Sequence, residues 1–165
     1  MAYWLAKSEP GVYSYANLER DGRTEWNGVH NATALQHLKR MRPGDSVLFY
    51  HSGDERAGVG IARVTSAPHP DPHDDRGSWS VEVRPVRPLR GPVALAELRA
   101  DTGLADFVLF RISRLSVMPV TGEQWRRILA HEPGAASGGA RRVQGRTRGS
   151  RANHRSAATR KRGAT

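Results

Sequence analysis

The sequence predicts an α+β fold, a small barrel of five to six short, mostly antiparallel strands decorated by short helices. Three observations carry it. Five apolar runs of strand length, AYWLAK, DSVLFYHS, AGVGIARVTS, SWSVEVRPVRPL and ISRLSVMPV, are interleaved with a few short helical patterns. No regular strand-helix-strand alternation of the kind that builds a parallel sheet recurs among them. The two middle runs carry apolar residues on both faces, which suits central or barrel strands better than a sheet with one wet side.

The first run ends at KSEP, because Glu9 precedes Pro10 and the residue before a proline is held extended. Ser14 is a helix N-cap for YANLERD, which should stop at Gly22. Asn31 is a second N-cap, opening ATALQHLKRM with Leu35, Leu38 and Met41 on one face. After the MRPGD turn come two strands joined by SGDER. SAPHPDPHDDRG follows as a loop without period, and then an alternating strand from Ser78 to Leu89 sets Trp79, Val81 and Val83 against Ser80, Glu82 and Arg84. PVALAELRAD is predicted as a short helix and ISRLSVMPV as a strand. Thr121 and Gln124 then form a capping box that opens the last helix, where Trp125, Ile128 and Leu129 share a face.

Charge divides the chain in two. Residues 1–132 hold 17 basic and 16 acidic side chains, with all four Trp, all four Tyr and all three Phe. The remainder carries nine cations and no acid: Arg141, Arg142, Arg146, Arg148, Arg151, Arg155, Arg160, Lys161 and Arg162. We therefore read residues 1–132 as one domain and 133–165 as a disordered basic tail that adds non-specific phosphate affinity. With no cysteine in the sequence, disulfides, thiolate catalysis and cysteine zinc sites are excluded. The start has no signal-peptide pattern, and no apolar run reaches the ~18 residues of a membrane span. The expectation is a soluble cytoplasmic monomer, nucleoid-associated in a bacterium, with no membrane partner.

HPDPHDD could suggest a metal cluster, but its spacing matches no helical ligand pair and its prolines keep it extended, so a solvated loop and no metal site is the reading. The GVG of residues 58–60 lies inside a strand, where glycine permits close backbone approach; it is not a dinucleotide fingerprint. What remains is a set of polar residues at strand ends beside aromatics: KSEP, TEWNGVHN, FYHS and SRLS. They either satisfy backbone groups or converge on a pocket.

YWLAKSEP, WNGVHN, GDSVLFYHS, VGIARV, HPDP and RLSVMPV followed by QW, in this order across residues 3–130, resemble the EVE domain. That family belongs to the PUA-like superfamily and is related to the YTH readers of methylated adenine. The resemblance implies a PUA-like pseudo-barrel and a non-catalytic, cofactor-free module that binds nucleic acid, either DNA with methylated or hydroxymethylated cytosine or RNA. It further implies a base pocket with Trp26 as its aromatic wall, Lys7 and Ser8 beside it, Asn31 as the base-edge amide, and His51, Ser52, Arg114 and Ser116 completing the lining. Family members commonly carry an arginine where this chain has His30, and another where it has Leu35. Two other functions stay open on the sequence: an RNA-binding module tied to RNA modification or the ribosome, and a small hydrolase using a serine and a histidine of the same pocket.

Overall fold

The computed structural model describes residues 1–135. Its organising element is β1 (Tyr3–Ser8), whose central residues Trp4, Leu5 and Ala6 are buried. β1 lies between β3 (Ser46–His51), which runs parallel to it, and β7 (Val117–Val120), which runs antiparallel. β3 folds back into β4 (Ala57–Val64), β4 pairs with β6 (Trp79–Ala94), and the first residues of β6 pair with β2 (Thr24–Trp26). The resulting order is β2-β6-β4-β3-β1-β7, with the two-residue β5 (His69–Pro70) attached to β6. All pairings but β1 with β3 are antiparallel. The fold is a mixed α+β architecture with a curled half-barrel sheet, and β2 and β7 stand at its two ends.

Helix ends follow local chemistry. α1 (Tyr15–Asp21) starts in a reciprocal box between Ser14 and Asn17 and stops at Gly22, whose φ of 74° is the left-handed conformation that glycine adopts without strain. α2 (Ala32–Arg40) starts where the Asn31 side chain accepts the Ala34 N–H. α3 (Leu95–Ala100), a 3-10 turn at Thr102–Leu104 and α4 (Val108–Arg111) fill the connection to β7. α5 (Gly122–Ala130) opens on the Thr121 and Gln124 box and buries Trp125 and Ile128. No helix among the described residues is long and apolar enough to cross a membrane.

Two boundaries differ from the sequence reading. β6 does not stop at Leu89 but continues to Ala94, so α3 begins at Leu95 instead of at Pro92. Prolines 85 and 88 sit in the ladder opposite Ala62 and Gly60, and the register shifts at Gly58/Gly60 and Ile61/Ala62 absorb them. Beyond Val83, β2 no longer covers β6, so a missing N–H on that side breaks no ladder bond. β7 begins at Val117, five residues later than the ISRLSVMPV run predicts, because Ser113 and Arg114 lie in a turn.

The core centres on Phe49, fully buried, with the rings of Tyr15, Trp26 and His51 edge-on at 5.4, 5.3 and 5.6 Å. Gly60 is required by this packing: a Cβ there would lie 2.4 Å from the Tyr15 ring. After α5 the chain stays attached. Glu132 is buried, accepts both guanidinium nitrogens of Arg87 at 2.6 and 3.0 Å, and accepts the Arg90 N–H. Pro133 packs at Gly91, and the Gly134 carbonyl accepts Arg90 Nη1 at 2.6 Å. The nine tail cations, Arg141 to Arg162, lie outside the described residues.

Candidate functional site

Where β1 ends, its last residues open onto a cavity of about 350 Å³. One wall is the β1–α1 connection, with Val12 and Tyr13; the opposite wall is β2 and the turn after it, with Thr24, Glu25, Trp26, Asn27, Gly28 and Val29. Lys7, Ser8 and Ser116 close the side toward β7.

The walls are fixed by hydrogen bonds that owe nothing to a ligand. The carbonyl of Glu9 accepts both the Val12 and Tyr13 N–H groups at 2.9 Å, and the Ser8 hydroxyl donates to the Tyr13 carbonyl at 2.6 Å. On the other side Gly28 has a φ of 71°, which turns the chain sharply after Trp26. The turn is held from behind: the Ser78 hydroxyl donates to the Val29 carbonyl at 3.1 Å, and His30 contacts Asp74. Backbone N–H of Arg76 and then His30 hold the Asp74 carboxyl below its usual range. This clasp comes from the HPDPHDD loop, which therefore supports the cavity wall from outside.

Trp26 belongs to core and cavity at once. It is 9% exposed and packs on Phe49, yet its free side lines the cavity. Lys7 is half-buried; its ammonium donates to the Ser113 carbonyl at 2.8 Å, and burial lowers its pKa. Glu25 is engaged by the Ser80 hydroxyl at 2.5 Å and by His69 at 3.2 Å. Val12, 79% exposed, sets an apolar lip at the mouth.

Of the eight pocket residues expected from sequence, Trp26, Lys7, Ser8 and Ser116 meet at this cavity. Asn31 stands outside it with its side-chain oxygen on the Ala34 N–H. His51 is buried behind Phe49; its Nε2 accepts the Tyr15 N–H at 3.1 Å, and Nδ1 faces Glu55. Ser52 lines a second cavity of about 410 Å³, separated from the first by Lys7, and Arg114 is exposed in the turn before β7. Sequence reasoning missed Asn27, Tyr13 and Val12. For Asn27 a signal existed, since Asn-Gly directly after an aromatic marks a turn that presents its side chain outward. Tyr13 and Val12 gave none, because a loop reaches the site only once β1 is placed against β3 and β7.

The arrangement offers an aromatic face, an ammonium, hydroxyls and a side-chain amide around one cavity. Among the described residues, Ser8 and His51 do not form a nucleophile–base pair here. The Ser8 hydroxyl is committed to the Tyr13 carbonyl, and both ring nitrogens of His51 have partners elsewhere.

The described fold has relatives among known proteins. The EVE domain family pattern matches residues 2–131. Thymocyte nuclear protein 1 of Homo sapiens is 32% identical over 166 residues, spanning 79% of this chain and 74% of its own. The NMR structure of a Rhodopseudomonas palustris protein superposes with a TM-score of 0.76 at 41% identity, covering 80% of this chain and 93% of that one. A crystal structure of the human thymocyte protein in complex with DNA containing 5-methylcytosine superposes with a TM-score of 0.70 at 30% identity, covering 79% and 96%. With the family pattern running through nearly all of the described fold, the chain belongs to the EVE domain family.

Proposed function

We propose that this protein is a non-catalytic reader of a modified base, methylated or hydroxymethylated cytosine in DNA, held in the cavity against Trp26. The observation that carries the reading is the cavity itself, a slot walled by one tryptophan and edged by Lys7, Ser8, Asn27 and Ser116. The human relative bound to DNA containing 5-methylcytosine supports the choice of ligand.

The physical sequence is short. A duplex hides both faces of a base, so reading one requires flipping it, at a cost of a few kcal/mol. Stacking on Trp26 returns about 1 to 3 kcal/mol of that. Lys7 and Ser116 offer donors to the base edge, Ser8 offers only its acceptor lone pairs because its hydroxyl donates to the Tyr13 carbonyl, and we assign the edge-reading amide to Asn27, because the Asn31 side-chain carbonyl already caps α2. A methyl-sized difference in such a slot is worth about 1 to 3 kcal/mol, so selectivity of roughly 10- to 200-fold is the ceiling.

Binding of the full chain to matched DNA and RNA oligonucleotides, each with and without modified cytosine, tests the reading. Tighter binding to modified DNA, reduced in Asn27→Ala with the fold intact, is the expected result. Equal affinity for modified and plain DNA, or a preference for RNA whatever its cytosines, overturns it; the second outcome would make the protein an RNA-binding module.

A further inference from the structure

The second cavity lies across Lys7 from the first, and its chemistry is different. Lys7, Arg56 and Arg99 line it together with Tyr50, Ser52 and Ser113, and no carboxylate is among its lining residues. Its apolar floor is Leu95 and Leu109. Many arginines of this fold are spent on carboxylates, as Arg87 is on Glu132 and Arg127 on Asp101. Arg56 and Arg99 are not: among the described residues Arg56 donates only to the Gly53 carbonyl at 3.2 Å, and Arg99 stacks on the Phe110 ring at 5.4 Å. The nearby acids of the β3–β4 hairpin are Asp54 and Glu55, and Glu55 faces His51.

Backbone geometry adds an independent observation. Arg56 has a φ of 45°, and it alone among the described non-glycine residues occupies the left-handed region. The hairpin and the hydrogen bond from Leu95 N–H to the Arg56 carbonyl, 2.8 Å, hold it there. Strain of this kind collects at ligand sites, and here it places a guanidinium without a carboxylate at the rim of a cationic pocket. The fields of both guanidinium groups reach the Tyr50 hydroxyl, opposing the upward push that burial gives its pKa.

We propose that this second cavity is a phosphate subsite, in which Arg56, Arg99 and the shared Lys7 take the backbone phosphate next to the base seated against Trp26. The inference rests on the base-reading assignment for its ligand, but the site's affinity for phosphate does not. Guanidinium groups suit it because their fork of N–H donors matches two phosphate oxygens at once. The subsite would fix the register of a flipped nucleotide without reading its sequence.

The test has two arms on the full chain. Inorganic phosphate is titrated while the arginine Nε–H resonances are followed by NMR; saturable shifts confined to Arg56 and Arg99 are expected, and shifts spread evenly over the arginines, or none, overturn the site. In the second arm, modified single-stranded oligonucleotides carry one uncharged methylphosphonate linkage at successive positions. One linkage beside the modified base should weaken wild-type binding about tenfold, and the Arg56→Gly, Arg99→Met protein should lose that dependence. Glycine relieves the strained backbone and methionine keeps contact with Phe110, so unchanged melting temperature separates lost binding from lost fold. Phosphate shifts together with oligonucleotide affinity that ignores both arginines would overturn the backbone assignment and leave a free-phosphate site. Phosphate shifts with no modified-base preference in the wild type would instead sink the base-reading function.

Discussion

Trp26 shows how one residue carries two constraints. Its contact with Phe49 is core packing, and its other side is the proposed stacking face. Truncation to alanine would cost about 3 to 5 kcal/mol, a large part of the stability of a domain this size, so Trp26→Leu is the better probe. It is expected to keep a cooperative thermal transition while binding modified DNA about 5- to 150-fold more weakly, the worth of one stacked base; wild-type affinity would end the stacking assignment. Asp45 is the structural counterpart, buried and accepting the Trp4 indole N–H at 2.9 Å as well as the N–H groups of Ala2 and Arg42. Asp45→Ala is expected to lower stability by about 1 to 3 kcal/mol through the orphaned indole alone, read as a shift in urea midpoint with binding preference unchanged. The contrast explains what the sequence could reveal of the site. Lys7 stands at the end of a strand that is plain from pattern, whereas Trp26, Arg114 and Ser116 came from the family resemblance. The strand expected to carry Arg114 and Ser116 begins only at Val117; Ser116 lines the cavity and Arg114 does not.

Elements were legible where their signals are local. The caps at Ser14, Asn31 and Thr121 and the stop at Gly22 are all satisfied within four residues of chain, and the sequence places them correctly. The length of β6 was not legible, since its prolines are tolerated only through bulges in β4 and the absence of β2 beyond Val83. The parallel pairing of β1 with β3 joins residues more than forty apart and leaves no periodic trace. Glycine within β4 was readable as close approach, and Gly60→Ala should test it: the Tyr15 ring has no room, so a loss of about 1 to 3 kcal/mol is expected. At the other end of the fold, α5 is tied to the α3 end by Asp101, which accepts Arg127 Nη2 at 2.6 Å and His131 Nε2 at 2.8 Å. The Arg127 guanidinium first, and then His131, lower the Asp101 carboxyl from 3.8 to about 2. Because the folded value lies below the unfolded one, the stabilisation is complete above pH of about 4 and disappears as pH falls toward 2. Urea midpoints measured between pH 5 and pH 2 should therefore converge for wild type and Asp101→Asn at the acid end; a constant gap would show that the carboxylate's charge is not what holds α5.

For the molecule as a whole, the division between a nearly neutral fold and a cationic remainder decides how affinity and preference are apportioned. The described residues 1–135 carry all the acids and, within residues 1–132, 17 of the 26 Arg and Lys, so long-range attraction to phosphate must come chiefly from the nine cations after Ala135. Glu132, Pro133 and Gly134 are nevertheless bonded to or packed on Arg87, Arg90 and Gly91. Two truncations consequently have different expected outcomes. Ending the chain after Ala135 removes every tail cation and leaves these contacts, so the melting temperature should hold while the dependence of log affinity on log salt becomes shallower, by at most about 8 for a duplex if all nine cations engage. Ending it after Ala130 also removes the buried Glu132 and leaves Arg87 unpaired, so the melting temperature should fall as well. In both proteins the ratio of affinities for modified and plain DNA should persist, because that ratio is assigned to the cavity beside Trp26. Loss of the ratio in the Ala135 truncation, with its melting temperature intact, would move base selection out of the cavity and into the basic segment.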